Sequence, residues 1–399
     1  MSERFQFNRL EFAGSLGDMG VLLPMLIGMI LINGMDPTGL LVVIGLFYIG
    51  SGLYFGVTVP VQPMKVIGAY AIATGMPAQQ IFAAGVWMAG LLFIIGVTGL
   101  IDIIGRAIPK AVVRGVQLST GTLLMAQGTR FIIGQSKFQL LSGSAEPYLK
   151  LQTIGSVPIG ILLGILAGGI VMRFISNRRF PAGLIVIIGG AAVGMIFGTH
   201  EGLDKLSLSI NLPHWLPFGW PEHSDWMTAL FVLVLPQLPM TLGNAVVANA
   251  DLSKDYFGKH SNRVTYRALT ISMALANAAS AALGGMPLCH GAGGLAAHYR
   301  FGARTAGSNM IIGAIFIALG VLLGYHALAV IYLIPMAILG VMLLFAGSQL
   351  ALTVIDVRER KDFFVILMML GITLAANLAV GFVIGIAIAY ALKSDRLDI

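Results

Sequence analysis

From residue 15 to residue 392 the chain is a succession of apolar windows, most of them about 20 residues long and nearly free of charge. A soluble domain carries about 25% charged residues. Here the figure is 10%, against 57% hydrophobic, so the chain cannot cover itself with a solvated surface. Lipid has to be the solvent for most of the exterior. The apolar residues come in long runs and not in the short alternations of a membrane barrel, which predicts an all-α polytopic membrane protein.

Full-length spans are expected near 15–33, 39–58, 80–104, 111–128, 155–173, 182–198, 226–248, 265–284, 307–325, 328–348 and 363–377, with a last crossing at 378–392. Two further segments, about 63–75 and 290–299, are too short and too broken to span alone. Counted as half-helices they bring the total to fourteen transmembrane elements, which puts both termini on one side. The start, MSERFQFNRLEF, is polar and amphipathic, so no cleavable signal peptide is expected.

The basic residues test that count. With the N-terminus cytoplasmic, nineteen of the 24 Lys and Arg fall inside. Only Arg130, Lys137, Lys150 and Lys205 fall outside, and Lys65 is left within the membrane. One missed span would have swapped the sides of the later loops and erased this bias. The net charge of +7 is therefore read as membrane orientation and not as a nucleic-acid surface. The expected location is the inner (plasma) membrane, with both termini cytoplasmic.

The two short segments occupy matching places, each the third of seven elements in residues 1–200 and 201–399. Seven is odd, so the halves have opposite topology. Broken hydrophobic segments at matched positions of inverted halves point to a transporter's binding site. The first break reads VPVQPMKVIGAYA, residues 59–71. Pro60 and Pro63 push the residues before them out of the α region, and Pro63 then sits at the start of a half-helix. Gln62 lies just ahead of that terminus and Lys65 in its first turn. The second break, GGMPLCHGAGGLAAHY, carries Pro287, His290, Gly291, Gly293 and Gly294 at the opposing half-helix. Exposed amides at a helix start bind anions. Two facing starts with Lys65 offer roughly +2, which suits a small dianion and disfavours a cation.

Asp18 stands among Gly14, Gly17 and Gly20 in the first span. As an ionisable residue at membrane depth it is a candidate for holding Lys65 in an ion pair or for binding a coupling proton. Gln237, Thr241 and Asn244 follow Pro236 in the matching span of the second half and share one helix face that could line a cavity. His290 divides evenly between ligand contact and packing. The expected substrate-binding set is Gln62, Lys65, Gln237, Thr241, Asn244, His290, Gly291 and Gly293, with Asp18 for coupling. His200, His214 and His223 have no metal-ligand spacing, and no metal or cofactor is expected. Nor is there an HExxH, GxSxG or nucleotide-binding loop, which argues against an enzyme and against ATP as energy source.

The motifs GSLGDMGVLLP at 14–24, PVQPMK at 60–65, LPQLPMTLGNAVVA at 235–248 and MPLCHGAGGLAAHYRFGART at 286–305 resemble the molybdate transporter family, a branch related to sulfate permeases. The resemblance runs nearly end to end. It implies a seven-plus-seven inverted-repeat fold in which spans 1–4 and 8–11 form a core and the rest a gate. It also supplies the word molybdate, with sulfate and tungstate as further candidates; the residues themselves reach only a small anion. Sulfate permeases usually continue into a cytoplasmic regulatory domain, for which this chain, ending at Ile399, leaves no room. A nucleobase permease of the same fold would prefer a carboxylate where this chain has Gln237 and Asn244. An anion channel is the other alternative. The expected partners are the oxyanion, membrane lipid and a second copy of the chain.

Overall fold

The computed structural model describes residues 4–101, 109–175, 177, 181–206 and 209–392. Of the basic residues counted inside, Arg106, Arg178, Arg179, Lys393 and Arg396 lie outside these described residues. The fold is helical, with five helices among the described residues long and apolar enough to cross a membrane and a sixth candidate formed by a bent pair. The bent pair is α1 (Arg9–Ser15) and α2 (Met19–Leu31), which meet at 42°. Asp18 sits in the bend. The break lets Gly17 press against α12 (Ala292–Arg300): a Cβ on Gly17 would lie 2.7 Å from the Ala297 carbonyl oxygen.

α3 (Pro37–Phe55) opens with Asp36 capping the Thr38 N–H and Pro37 in the first turn. It closes at Gly56, whose φ of 74° only glycine adopts freely. The chain then runs extended through Pro60 and Pro63 to β1 (Gln62–Pro63) and the half-helix α4 (Lys65–Thr74). In the second half α11 (Tyr266–Ala282) leads to β4 (Leu288–Cys289) and then to α12. β1 and β4 pair antiparallel, Gln62 opposite Cys289 and Pro63 opposite Leu288, so the two breaks cross at one point. Another short hairpin, β2 (Thr153–Ile154) with β3 (Val157–Pro158), belongs to the loop after the short helix α7 (Lys137–Ser142).

Side chains from distant helices satisfy the extended backbone, as they must where water is excluded. Asn309 takes the Val59 N–H and donates to the Val59 carbonyl, while Tyr48 donates to the Val61 carbonyl. Asn277 brackets Leu288 in the same way, at 3.0 and 2.9 Å.

Two span boundaries differ from expectation. The segment expected at 226–248 belongs to a continuous 39-residue helix, α10 (His223–Ser261). Pro236 and Pro239 do not end it, because π-helical turns at Ala229–Val234 and Thr241–Ala248 widen the spiral on either side and relieve the missing N–H groups. The expected spans 307–325 and 328–348 are instead α13 (Gly307–Ile331) and α14 (Met336–Asp356), divided at Pro335.

α3 packs along α13, α5 (Ala78–Thr98) along α11, and α6 (Lys110–Ile132) along α14. The α6–α14 crossing runs backbone to backbone. A Cβ on Gly121 would meet the Gly347 carbonyl at 2.6 Å, and one on Gly128 the Gly340 carbonyl at 2.5 Å. Apolar helices α8 (Ile159–Phe174), α9 (Ala182–Phe197), α15 (Arg360–Ala375) and α16 (Leu378–Ala391) complete the fold.

Candidate anion site

A cavity of about 350 Å³ lies where the two breaks meet α6 and α14. Asp18, Gln62, Lys65, Asn244 and Gly293 line one wall, and Gln117, Gln349 and Thr353 line the other. The volume is at the small end for ligand sites, suited to a compact solute. A larger hollow of about 820 Å³ at the end of α10 is bordered by Asp251, Lys254, Asp255 and Lys259 and includes neither half-helix start.

The two half-helix starts are used differently. At α4, the Gln237 Oε1 accepts the N–H groups of Val66 at 2.9 Å and Ile67 at 3.3 Å, and its Nε2 donates to Thr241. That terminus is capped from within the protein, so its first amides are not offered to a ligand directly. At α12, Gly291 is the N-cap and has no side chain to cap with. Among the described residues, the Ala292 and Gly293 N–H groups meet no protein acceptor. This start is open, and Gly293 borders the cavity with the Lys65 ammonium 3.6 Å from where its Cβ would stand. The expectation of two equivalent amide clusters is corrected to one open start, one lysine and one capped start.

Of the residues expected at the site, Gln62, Lys65, Asn244, Gly293 and Asp18 line the cavity, whereas Gln237, Thr241, Gly291 and His290 are absent from its lining. Gln237 and Thr241 act one layer behind, through the cap. Gly291 lets the Gln62 carboxamide lie directly over its backbone. His290 points to the far side of the break. Its Nδ1 donates to the Pro60 carbonyl at 2.7 Å, its Nε2 meets Ser272 at 3.0 Å, and its ring packs on Phe47 and Phe55. Both nitrogens are occupied there, which makes it a strut between the two breaks. Asn249 supports the same residue by donating to the His290 carbonyl.

Asp18 also differs from expectation. No ion pair joins it to Lys65 within 4 Å among the described residues; its Oδ2 instead accepts the Gln62 Nε2 at 2.7 Å. The ion pairs present, Lys110 and Arg114 with Asp356, lie at one end of α6 and α14, where Arg114 and Thr353 both donate to Gln117.

Sequence reasoning missed the opposite wall. Gln117 and Gln349 are amides within membrane helices, a signal that was present but indistinguishable from helix-to-helix hydrogen bonding. It also passed over His298, which joins the Gly14 carbonyl at 2.8 Å to Tyr48 at 3.2 Å behind Asp18.

A family model described as "Molybdate transporter of MFS superfamily" matches residues 10–124 and 229–350. "Molybdate transporter 2" of Arabidopsis thaliana is 31% identical over 97% of this chain and 88% of its own length. "Molybdate transporter 1" of the same plant is 30% identical over 96% and 87%. Among solved structures, the transmembrane domain of a cyanobacterial bicarbonate transporter, BicA, superposes with a TM-score of 0.66 at 16% identity, covering 97% of this chain and 98% of that one.

Proposed function

Because this chain belongs to the molybdate transporter family, whose members are transporters and not enzymes, we propose that it carries molybdate across the membrane by secondary active transport. The observation that carries this reading is the cavity in which the open start of α12 and the Lys65 ammonium face one small space. Open amides, a helix dipole and a lysine complement a tetrahedral oxyanion. Sulfate and tungstate share that shape and charge.

The fourteen-element inverted repeat, with halves at 1–200 and 201–399, is part of the proposal. Its support is the antiparallel crossing of β1 and β4, and the matched pairing of α3 with α13 and of α11 with α5. In this arrangement α6 and α14 belong to a gate that closes on the core. Both termini then face the cytoplasm. Cysteines placed at 259 should react only with cytoplasmic reagents and at 137 only with external ones; reaction of both from one side rejects the topology. The homodimer is tested by mass measurement in nanodiscs.

A dianion entering a negative cytoplasm is opposed by about 2.3 kcal/mol per charge per 100 mV, so uphill import needs at least two cotransported positive charges. We assign the coupling to protons, with Asp18 as the acceptor. Labelled molybdate uptake into proteoliposomes, with sulfate and uracil as competitors and a proton gradient present or absent, tests both claims. Uptake blocked by uracil and not by sulfate favours a nucleobase carrier. Asp18→Asn should abolish accumulation driven by a pH gradient and spare molybdate exchange; wild-type uptake indifferent to the gradient rejects coupling.

A further inference from the structure

Gln62 holds two facts that do not sit together in a resting anion site. Its Nε2 is committed to Asp18 at 2.7 Å, while its Oε1 is buried and has no hydrogen-bond partner. That orphan oxygen lies against Gly291, the N-cap of the open start of α12, while the amide carbon and nitrogen lie against Gly294. An oxyanion arriving there only accepts hydrogen bonds, so the carboxamide presents its repulsive end to the ligand. The cause is Asp18. An ionised carboxylate also only accepts, and it holds the NH₂ end of Gln62 on its own side.

We propose that the Gln62 carboxamide is a reversible relay tying a proton on Asp18 to an oxyanion at α12. The proposal rests on the reading of Asp18 as the proton site of an oxyanion carrier. A proton on Asp18 turns the carboxyl into a donor. Gln62 then rotates by about 180° about its terminal torsion, a soft two-fold motion that exchanges two groups of nearly equal size. Its oxygen accepts from Asp18, and its NH₂ takes the oxygen's place at Gly291, as a further donor beside the Ala292 and Gly293 amides. No bond is formed or broken except the O–H on Asp18, whose proton comes from the solution on the side to which the cavity opens. Proton and anion therefore favour each other's binding by the same factor. The relay gives symport a physical link without a direct contact between the two ions.

Other titratable groups face Asp18 from several elements: Lys65 on α4, His298 on α12, Tyr48 on α3 and Cys289 on β4. The α6 and α14 wall contributes the neutral Gln117, Gln349 and Thr353. Of these groups, only Asp18 touches the carboxamide nitrogen among the described residues.

Molybdate binding to the full chain in nanodiscs, by calorimetry in buffers of different ionisation enthalpy, tests the relay across pH values at which molybdate stays a dianion. Wild type should take up a proton on binding and lose affinity as pH rises, by about ten- to a hundred-fold in total, the worth of one charge-assisted hydrogen bond. Asp18→Asn offers a permanent donor to Gln62, so it should bind as wild type does at low pH, with no proton uptake. Gln62→Met should bind at the weaker level at every pH. Infrared difference spectra should show a protonated carboxyl appearing with molybdate in wild type and not in Asp18→Asn. Proton uptake that persists in Asp18→Asn or in Gln62→Met overturns the relay and moves the proton to another group, His298 first. Molybdate that binds wild type without proton uptake overturns the relay alone. Molybdate that binds at no pH overturns the substrate reading beneath it.

Discussion

The Gln237 side chain, from α10 in the second half, caps α4 in the first half by accepting the Val66 N–H at 2.9 Å. A glutamine 171 residues away thus does what an N-cap serine or aspartate does locally, because Met64 at the cap position has no acceptor to offer. Gln237→Ala leaves two buried donors unpaired and should cost about 1–3 kcal/mol, read as a lower apparent Tm. Gln237→Glu keeps the acceptor and should recover much of the loss. Equal loss in both variants would mean that the amide nitrogen, through Thr241, carries the effect.

Lys65 borders the cavity on the first turn of α4 and is the cation of the site. Lys65→Ala should weaken oxyanion binding by one to two decades, on the order of 1.5–3 kcal/mol. Lys65→Arg should restore only part, since a planar fork replaces a compact ammonium. Equilibrium binding of labelled molybdate decides it: normal affinity with slow transport would make the lysine a residue of the conformational cycle.

The α6–α14 crossing depends on having no side chain at Gly128. A Cβ there would meet the Gly340 carbonyl oxygen at 2.5 Å and the Leu344 nitrogen at 2.8 Å, both backbone atoms. Gly128→Ala should destabilise by about 1–3 kcal/mol through overpacking. Gly168→Ala, on α8 with nothing within 4 Å, should be neutral or stabilising by about 0.5–1 kcal/mol. Thermal unfolding of the pair checks the contrast.

Glu146, in the loop between α7 and β2, clamps the start of α14 by accepting the Met336 and Ala337 N–H groups, each at 2.8 Å. Burial pushes its carboxyl up to about 7, against the smaller lowering by those donors. In the unfolded chain it titrates near 4.5, so between the two values the folded protein holds a proton that the unfolded chain does not. Its contribution to stability therefore falls as pH rises from about 4.5 to about 7, at up to about 1.4 kcal/mol per pH unit, and is level above that. Glu146→Gln should flatten that part of the apparent Tm profile. An unchanged profile would assign the pH dependence to other groups.

Much of the fold was legible because its causes are local. Apolar windows dictate helices in lipid, and Pro60, Pro63 and Pro287 dictate where two of them break. The start of α4 at Lys65 and that of α12 at Ala292 fall within two residues of the expected 63 and 290. Less local were the course of α10 through Pro236 and the break at Pro335, where the outcome depends on whether neighbouring helices and π turns can satisfy the backbone a proline leaves open. The motif at 286–305 was long enough to point to the family.

Composition and spacing thus determined a helical membrane protein with two interrupted segments and the residue types of an anion site. Only tertiary structure decided which of those residues face the cavity. Gln62 finds Asp18 across 44 positions, His290 turns to Pro60 across 230, and Gln117 joins Thr353 across 236. A half-helix of ten residues, Lys65–Thr74, has the same sequence whichever way it is rotated about its axis. Its neighbours set that rotation: α6 and α2 pack along it, and Gln237 caps its start from 171 residues away.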